Sequence, residues 1–173
     1  MHVFLIGFMG SGKSHTGQRL AGLLGRPFVD LDHLISSQTR QSIASLFESK
    51  GEAYFRQVER DCLRGITGPP FQVVACGGGT PCHLDNIDWM NRNGLTVYLR
   101  AKVGLLAQRL LPGREKRPLL QGLTAETLPA FIEGKLAERE PYYMQANVVY
   151  DQSSLEEDVA QTLYQQFSNI IGH

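Results

Sequence analysis

The sequence predicts an α/β fold in which helices cover both faces of a parallel sheet. Short apolar runs bounded by glycine alternate with stretches of helical spacing, and this alternation is typical of parallel strands joined by helices. Residues 3–6 form the first apolar run, and residues 13–24, beyond a glycine-rich segment, carry apolar side chains at helical spacing. The length of 173 residues suits one domain, so we expect residues 1–173 to fold as a single domain.

Four more apolar runs are candidate strands of the same sheet. They lie at residues 28–31, 71–76, 96–99 and 148–150. Between the runs at 28–31 and 71–76, residues 42–47 and 52–63 have helical patterning and are separated near Gly51. This insertion is longer than a minimal crossover and is a candidate substrate pocket. Residues 155–171 repeat apolar side chains at helical spacing, so we expect them to close the fold against the sheet.

Composition and charge exclude several classes of protein. The chain is 42% hydrophobic and 20% charged, which is outside the range of disordered chains. Seventeen basic and 17 acidic residues give a net charge of zero, so we expect no nucleic-acid partner. No apolar stretch approaches the roughly 18 residues of a membrane span, so we expect no membrane partner. Three cysteines without paired spacing and singly placed histidines argue against disulfides and zinc, and favour the cytoplasm.

The glycine-rich segment after the first strand has the pattern of a phosphate-binding loop. Residues 7–14 read Gly-Phe-Met-Gly-Ser-Gly-Lys-Ser and fit G-x-x-x-x-G-K-[ST]. In such a loop, backbone N–H groups surround phosphate oxygens, and the following helix presents its N-terminus to them. We therefore expect Lys13 to bridge the β- and γ-phosphates and Ser14 to bind Mg²⁺. The alternative is a glycine-rich turn without a ligand.

Two carboxylates follow the second strand. Asp30 and Asp32 end an extended segment over residues 28–32, so strand alternation predicts both on one face at the carboxyl edge of the sheet. In phosphoryl transfer, one carboxylate of such a pair suits the Mg²⁺ shell and the other suits an attacking hydroxyl. The alternative is a solvated turn in which Asp32 caps the next helix.

Three further features are ambiguous when each is taken alone. Glu52, Arg56 and Glu59 stand four and three residues apart on a predicted helix, which also suits a surface ion-pair ladder. The glycines at 77–79 end an apolar strand, which favours close approach of the backbone to a ligand but also suits a tight turn. Arg139 is either a cation at a helix C-terminus or a fork that binds a carboxylate.

Residues 111–122 are predicted to be a mobile basic loop between helices. Prolines and glycines interrupt this stretch, and residues 109–117 carry four basic side chains against one acidic side chain. A mobile basic loop beside a phosphate site is expected to act as a lid.

In their order and spacing, these motifs closely resemble those of bacterial shikimate kinases. The resemblance rests on residues 7–14, Asp30-Leu31-Asp32, Gly51-Glu52 with Phe55-Arg56 and Glu59, Gly77-Gly78-Gly79, Arg117-Pro118-Leu119-Leu120, and Arg139 with Tyr143. It implies a P-loop three-layer sandwich with a five-stranded parallel sheet, a lid at about 111–122 and a helical substrate-binding insertion at about 32–63. It also implies that ATP phosphorylates the 3-hydroxyl of shikimate in aromatic amino-acid biosynthesis. We expect a monomer that binds ATP, Mg²⁺ and shikimate.

On the nucleotide side, the resemblance assigns roles to the loop, a carboxylate and two arginines. It makes Lys13 the catalytic cation that bridges the phosphates, Ser14 a direct Mg²⁺ ligand and Asp30 a carboxylate that reaches the metal through water. Arg109 resembles the arginine that flanks the adenine, and Arg117 is expected to contact the transferred phosphate as a catalytic lid residue. The implied ATP-binding residues are Gly10, Ser11, Gly12, Lys13, Ser14, His15, Arg109 and Arg117.

On the acceptor side, the resemblance implies a carboxylate-binding and hydroxyl-binding pocket. Asp32 becomes the substrate anchor and candidate base. Arg56 and Arg139 are assigned to the shikimate carboxylate, and Gly78 to a backbone contact with a substrate hydroxyl. Glu59 is expected to orient Arg56.

The sequence departs from the family pattern at three places. Leu31 stands where the family commonly has Thr, and His15 stands where it usually has Thr or Ser. Residues 151–154 lack the basic or proline residues that often pack near the adenine.

Two other functions remain as alternatives. A relative of gluconate kinase would explain the loop and lid but would not require two arginines suited to a carboxylate. A non-catalytic ATP-binding module needs only the loop, so the retention of Asp32 and Arg117 argues against it.

Overall fold

The structure, a computed structural model, describes residues 1–171, in which five strands form one parallel sheet. The strands are β1 (His2–Ile6), β2 (Phe28–Asp30), β3 (Val73–Ala75), β4 (Gly94–Arg100) and β5 (Val148–Asp151). Their order is β2-β3-β1-β4-β5, and each neighbouring pair is parallel. The predicted five-stranded parallel sheet is confirmed. Gly172 and His173, the last residues of the predicted domain, lie outside the described residues.

Helices flank the sheet between the strands and after β5. They are α1 (Lys13–Leu24), α2 (Leu31–Thr39), α3 (Ile43–Arg64), α4 (Asn86–Asn93), α5 (Val103–Leu110), α6 (Leu128–Tyr143) and α7 (Val159–Ile171). Short 3₁₀ helices lie at Thr80–Cys82, Leu111–Lys116 and Pro118–Leu120. Over residues 1–171, no helix combines the length and apolar character that crossing a bilayer would need.

The sheet separates two hydrophobic cores, which makes the fold a three-layer sandwich. Along β1, Val3 and Leu5 pack on one face with buried residues of α1 and α7. Phe4 and Ile6 point to the opposite face and pack with buried residues of α2, α3, α4, α5 and α6. Because β1 is buried on both faces, its sequence is continuously apolar rather than alternating.

Two strands are shorter than predicted. The segment 28–32 is not extended throughout, because β2 ends at Asp30 and α2 begins at Leu31. The Asp30 side chain caps this helix by accepting hydrogen bonds from the Asp32 and His33 backbone N–H groups at 3.1 and 3.2 Å. The predicted strand 71–76 is shorter, since β1 and β2 pair with it only over Val73–Ala75.

The predicted insertion and lid have more regular structure than expected in places. Most of residues 32–63 lie in α2 and α3, and the sequence analysis did not predict α2. The predicted break near Gly51 is present, because Gly51 has φ 81° and ψ 170° inside α3. Residues 111–122 are not an irregular loop throughout, since two 3₁₀ helices occupy most of them. The mobility of this segment stays a prediction.

Candidate active site

The carboxyl ends of β1, β2 and β3 lie side by side and carry the motif residues. Gly7 follows β1, Asp30 ends β2, and residues 77–79 follow β3 closely. The chain order reverses at β1, which has β3 on one side and β4 on the other. Open α/β sheets bind ligands at such a point.

The loop between β1 and α1 has a backbone that glycine adopts most readily. Gly7, Gly10 and Gly12 have φ values of 143°, 78° and 88°. A Cβ on Gly7 would lie 2.8 Å from the Leu99 carbonyl oxygen, and a Cβ on Gly10 would lie 2.8 Å from Leu110 Cγ. The loop leads into the N-terminus of α1, so its geometry suits the binding of an anion.

Lys13 and Ser11 are polar groups buried against this loop. Lys13 Nζ donates hydrogen bonds to the Gly7 and Phe8 carbonyl oxygens at 2.9 and 2.8 Å. Burial lowers the pKa of Lys13 to about 8, and the nearby carboxylate of Asp32 opposes this shift. Ser11 Oγ is buried and has no hydrogen-bond partner among the described residues. A phosphate group would supply the charge and the acceptors that these groups require.

Ser14 and Asp30 form a pair of oxygen donors beside the loop. Ser14 Oγ donates to Asp30 Oδ2 at 2.6 Å, while Asp30 Oδ1 caps α2. A hydroxyl and a carboxylate are hard oxygen ligands of the kind that Mg²⁺ takes together with water and substrate phosphates. Within residues 1–171, His, Cys, Asp and Glu form no group of three or more that would hold a metal ion. The pair therefore fits a metal that arrives with a nucleotide better than a resident metal cage.

Two cavities meet at this edge of the sheet. The loop cavity, of about 300 Å³, is lined by residues that include Lys13, Ser14 and Asp30. The arginine cavity, of about 310 Å³, is lined by residues that include Arg56 and Arg139. The residues common to both walls are Met9, Asp32, Gly77, Gly78 and Arg117. Ligands in the two cavities would therefore meet beside the Asp32 carboxylate and the Arg117 guanidinium.

Asp32 lies in the first turn of α2, on the border between the two cavities. Its side chain opens to solvent, but the cleft walls displace part of the water around the carboxylate. This desolvation, followed by repulsion from Asp30 and Glu59, raises the pKa of Asp32 to about 6, against the attraction of Lys13 and Arg56. The carboxylate is therefore ionised at neutral pH, with a proton affinity suited to a general base.

Arg56 is held in a fixed direction at one end of the arginine cavity. Its guanidinium donates to Glu59 Oε2 at 2.8 Å and to Glu52 Oε1 at 3.1 Å. The guanidinium carbon also lies 5.1 Å and 5.8 Å from the ring centres of Phe55 and Phe47. The ion-pair ladder predicted as an alternative is present, but the same arginine lines the cavity.

Arg139 lines the same cavity from α6. Its guanidinium carbon lies 5.6 Å from the centre of the Phe8 ring. Tyr143, one turn further along α6, donates from its hydroxyl to the Gly78 carbonyl oxygen at 2.5 Å. Burial raises the pKa of Tyr143 well above its usual range, which keeps this hydroxyl protonated as a donor. The position of Arg139 fits a carboxylate fork, one of the two alternatives that the sequence left open.

Each glycine of the run 77–79 packs against a side chain of the site. A Cβ on Gly77 would lie 3.0 Å from Asp32 Oδ1, and a Cβ on Gly78 would lie 3.2 Å from an Arg139 guanidinium nitrogen. A Cβ on Gly79 would lie 2.7 Å from an Arg56 guanidinium nitrogen. The run therefore allows close approach of side chains to the backbone, beyond what a tight turn requires.

Arg117 lies between the two 3₁₀ helices of residues 111–122, and its exposed side chain lines both cavities. Arg114 braces the segment from within, since its guanidinium donates to the Leu111 and Leu123 carbonyl oxygens, each at 2.9 Å. Leu120 is fully buried and joins the segment to the core. These contacts hold the segment in a position where the exposed Arg117 side chain lines both cavities.

Gln152 is a residue of the nucleotide side that sequence analysis missed. Its buried side chain accepts a hydrogen bond from Arg109 at 2.8 Å and donates to the Ser11 carbonyl oxygen at 3.0 Å. Arg109 also donates to the Gly10 carbonyl oxygen at 3.3 Å. Residues 151–154 lack the basic and proline residues of the family pattern, and nothing local in the sequence distinguishes a buried amide from an exposed one. Gln152 ties the loop after β5 to the phosphate loop.

The structure brings most of the predicted site residues to the two cavities. Those that line one or both are Gly10, Gly12, Lys13, Ser14, His15, Asp30, Asp32, Arg56, Glu59, Gly78, Arg117 and Arg139. Arg109 lines a neighbouring cavity with Gln152, and Ser11 lies buried in the phosphate loop. This arrangement suits transfer of a phosphoryl group from an anion on the loop to an acceptor beside the two arginines.

Sequence comparisons extend over most of the chain. A family model described as shikimate kinase matches residues 9–168. A shikimate kinase of Parabacteroides distasonis is 40% identical over 149 residues, which are 86% of this chain and 86% of the relative. A shikimate kinase of Salinibacter ruber is 42% identical over 164 residues, which cover 92% of this chain and 80% of the relative.

Solved structures share the whole architecture. A crystal structure of shikimate kinase from Bacteroides thetaiotaomicron has a TM-score of 0.89 at 35% identity and covers 100% of this chain and 99% of that chain. Shikimate kinase from Acinetobacter baumannii in complex with shikimate has a TM-score of 0.85 at 36% identity. The match covers 98% of this chain and 94% of that chain. The match therefore includes both cavities and the elements that form them. The chain belongs to the shikimate kinase family.

Proposed function

We propose that this protein transfers the γ-phosphate of ATP to the 3-hydroxyl of shikimate, which yields shikimate 3-phosphate and ADP. The observation that carries this proposal is the wall shared by the two cavities, where Asp32 and Arg117 border both. A nucleotide on the phosphate loop and an acceptor beside the arginines would bring their reacting groups to this wall. Such proximity supplies a large part of the rate acceleration in phosphoryl transfer.

We propose that Lys13 and Arg117 stabilise the negative charge that shifts toward the ADP leaving group. Asp32 orients the acceptor hydroxyl and takes its proton as the hydroxyl oxygen bonds to the γ-phosphorus and the bond to the ADP oxygen breaks. Ser14 and Asp30 would hold Mg²⁺, which supplies neutralising charge to the phosphates when it is bound. The 2.6 Å contact between these two residues supports this assignment.

The acceptor class follows from the charges of the arginine cavity. Arg56 and Arg139 would bind the shikimate carboxylate, and the backbone at Gly78 would contact a substrate hydroxyl. The hydrogen bond from Tyr143 to the Gly78 carbonyl oxygen would hold this backbone in place. Two guanidinium groups in one cavity favour an acidic acceptor over a neutral sugar.

We also infer that the protein acts as a cytoplasmic monomer of one domain. Residues of the one sheet and of the segments that flank it line both cavities, which supports a single domain as the active unit. Cys62, Cys76 and Cys82 are free thiols, which suits a reducing compartment. Within this domain, residues 32–63 would bind the acceptor and residues 111–122 would form the lid.

Measurement of ADP release with different acceptors tests the proposed function against its two alternatives. We expect ADP release from ATP and Mg²⁺ to increase strongly when shikimate is added, and not when gluconate is added. A response to gluconate but not to shikimate would favour a gluconate-kinase-like enzyme. ATP binding without an acceptor-dependent release of ADP would favour a non-catalytic ATP-binding module.

Replacement of either cavity arginine by lysine is expected to weaken acceptor binding selectively. A lysine keeps the charge but cannot form the two parallel hydrogen bonds of a guanidinium to a carboxylate. In Arg56→Lys and Arg139→Lys, we expect the KM for shikimate to rise about tenfold or more, while the KM for ATP changes less than about twofold. Arg60→Lys is the matched control, because Arg60 lies one turn from Arg56 and pairs with Asp85 instead. An equal rise in both KM values would show that the arginines are structural.

Closure of the lid is expected to slow hydrogen exchange in residues 111–122. Arg117 is exposed in this segment, and contact with a transferring phosphate would order it and exclude water. We expect slower exchange when ADP and shikimate are both present, with no change in residues 87–93 of α4, which lie outside these cavities, as the internal control. Full protection of residues 111–122 before any ligand is added would rule out a lid that closes.

A further inference from the structure

A chain of buried polar groups runs from α4 to the arginine cavity. Glu59 is 1% exposed, and its two carboxylate oxygens have different donors. Arg56 donates to Oε2 at 2.8 Å, and the Thr80 hydroxyl donates to Oε1 at 2.6 Å. Asn86, the first residue of α4, donates from Nδ2 to the Thr80 carbonyl oxygen at 3.0 Å. Thr80 and Asn86 are both fully buried.

This arrangement fixes the orientation of the Glu59 carboxylate. Burial of an ionised carboxylate is costly unless donors satisfy its oxygens. Because Thr80 and Arg56 hold opposite oxygens, rotation of the carboxylate plane would break at least one short hydrogen bond. The Asn86 contact in turn holds the 3₁₀ helix Thr80–Cys82 that carries the Thr80 hydroxyl.

The direction of the Arg56 guanidinium depends on this carboxylate. Glu52, its other acidic partner, is largely exposed and therefore restrains Arg56 weakly. Phe55 and Phe47 restrict the position of the guanidinium but not its rotation in the plane. The buried Glu59 is thus the partner that sets which N–H groups remain available to the cavity.

We propose that Thr80 is a positioning residue for recognition of the acceptor carboxylate. Its hydroxyl holds Glu59, which holds Arg56 at the angle that a bidentate contact with the acceptor requires. Thr80 does not line either cavity, so it acts on the acceptor only through these two residues. The proposal rests on the proposed function, since it assigns Arg56 to the acceptor.

Kinetic comparison of Thr80→Val and Thr80→Ser tests this proposal. Valine keeps the shape of threonine without its hydroxyl, whereas serine keeps the hydroxyl. We expect Thr80→Val to raise the KM for shikimate about tenfold, the effect of one lost hydrogen bond to a charged group, with kcat and the KM for ATP within about twofold of wild type. Thr80→Ser should restore the KM for shikimate to within about twofold. Thr39→Val is the control for loss of a partly buried hydroxyl elsewhere, since Thr39 donates to the Ile35 carbonyl oxygen.

Coupling to Glu59 separates positioning from a general structural effect. If Thr80 acts through Glu59, adding Thr80→Val to Glu59→Gln should raise the KM for shikimate by much less than in the wild-type background. If Thr80→Val does not fold, Thr80→Ala, which removes both the hydroxyl and the γ-methyl group, tests the same coupling to Glu59.

Several outcomes would overturn the role of Thr80. Equal KM values for shikimate in wild type and Thr80→Val would overturn it, as would an equal rise in the KM for ATP or full additivity with Glu59→Gln. Failure of the proposed function is distinguishable, because wild-type protein would then release no ADP in response to shikimate.

Discussion

Replacement of Lys13 by Ala is expected to lower the turnover number by about 10³-fold or more while leaving the fold intact. The expected loss is large because Lys13 is the cation buried in the phosphate loop, and in the closed site its charge would act on the phosphates with little screening by water. The fold should survive because the two hydrogen bonds that alanine loses join Lys13 only to carbonyl oxygens of its own loop, and because removal of the ammonium also removes the desolvation cost that lowers its pKa.

Turnover and melting temperature together check this prediction. Lys135→Ala is the matched control, since Lys135 pairs with Glu138 on α6 and lies outside both cavities. Because the pKa of Lys13 is about 8 in the free protein, wild-type affinity for ATP should also decline as the pH rises above that value. Turnover of Lys13→Ala within tenfold of wild type would remove the phosphate loop from the mechanism.

Replacement of Asp32 by Asn is expected to lower the turnover number by about 10²-fold or more at saturating substrates. Asparagine keeps the size of the side chain but cannot accept the proton of the acceptor hydroxyl. Asp61→Asn is the control, because Asp61 is an exposed carboxylate on α3 that lies outside both cavities. An unchanged turnover number in Asp32→Asn would exclude a role for this carboxylate in the chemical step.

The pH dependence of the wild-type enzyme gives a second readout for Asp32. Its pKa is raised to about 6, so the carboxylate is ionised above that pH and becomes protonated below it. The protonated form cannot act as a base, so kcat/KM for shikimate should fall as the pH falls through about 6. The acid limb should be absent from the residual activity of Asp32→Asn.

Local sequence patterns were sufficient to predict the parts of the site whose geometry is determined within one short segment. The phosphate loop is contiguous, and its glycine φ values follow from residues 7–13 and the strand before them. The end of β2 was not predicted, because an aspartate that follows an apolar run suits both the last residue of a strand and the cap of a helix. Asp32 nevertheless reaches the cleft, since the first turn of α2 lies at the carboxyl edge of the sheet.

Contacts between distant residues could not be predicted from the sequence. Gln152 and Ser11 are joined by a hydrogen bond across 141 positions, and Thr80 and Glu59 by one across 21 positions. Gln152 and Thr80 belong to none of the motifs, and both are common polar types at ordinary loop or turn positions. Their roles follow from burial, which depends on the packing of the whole chain.

Identification of the reaction product by correlated ³¹P and ¹H NMR tests the central claim most directly. The protein is incubated with ATP, Mg²⁺ and shikimate, and the phosphorus of the product is correlated with the protons of the acceptor ring. We expect one new phosphate ester, coupled to the proton at carbon 3 of shikimate and formed in equal amount with ADP. Phosphate on a different hydroxyl, or inorganic phosphate with unchanged shikimate, would contradict transfer to the 3-hydroxyl beside Asp32.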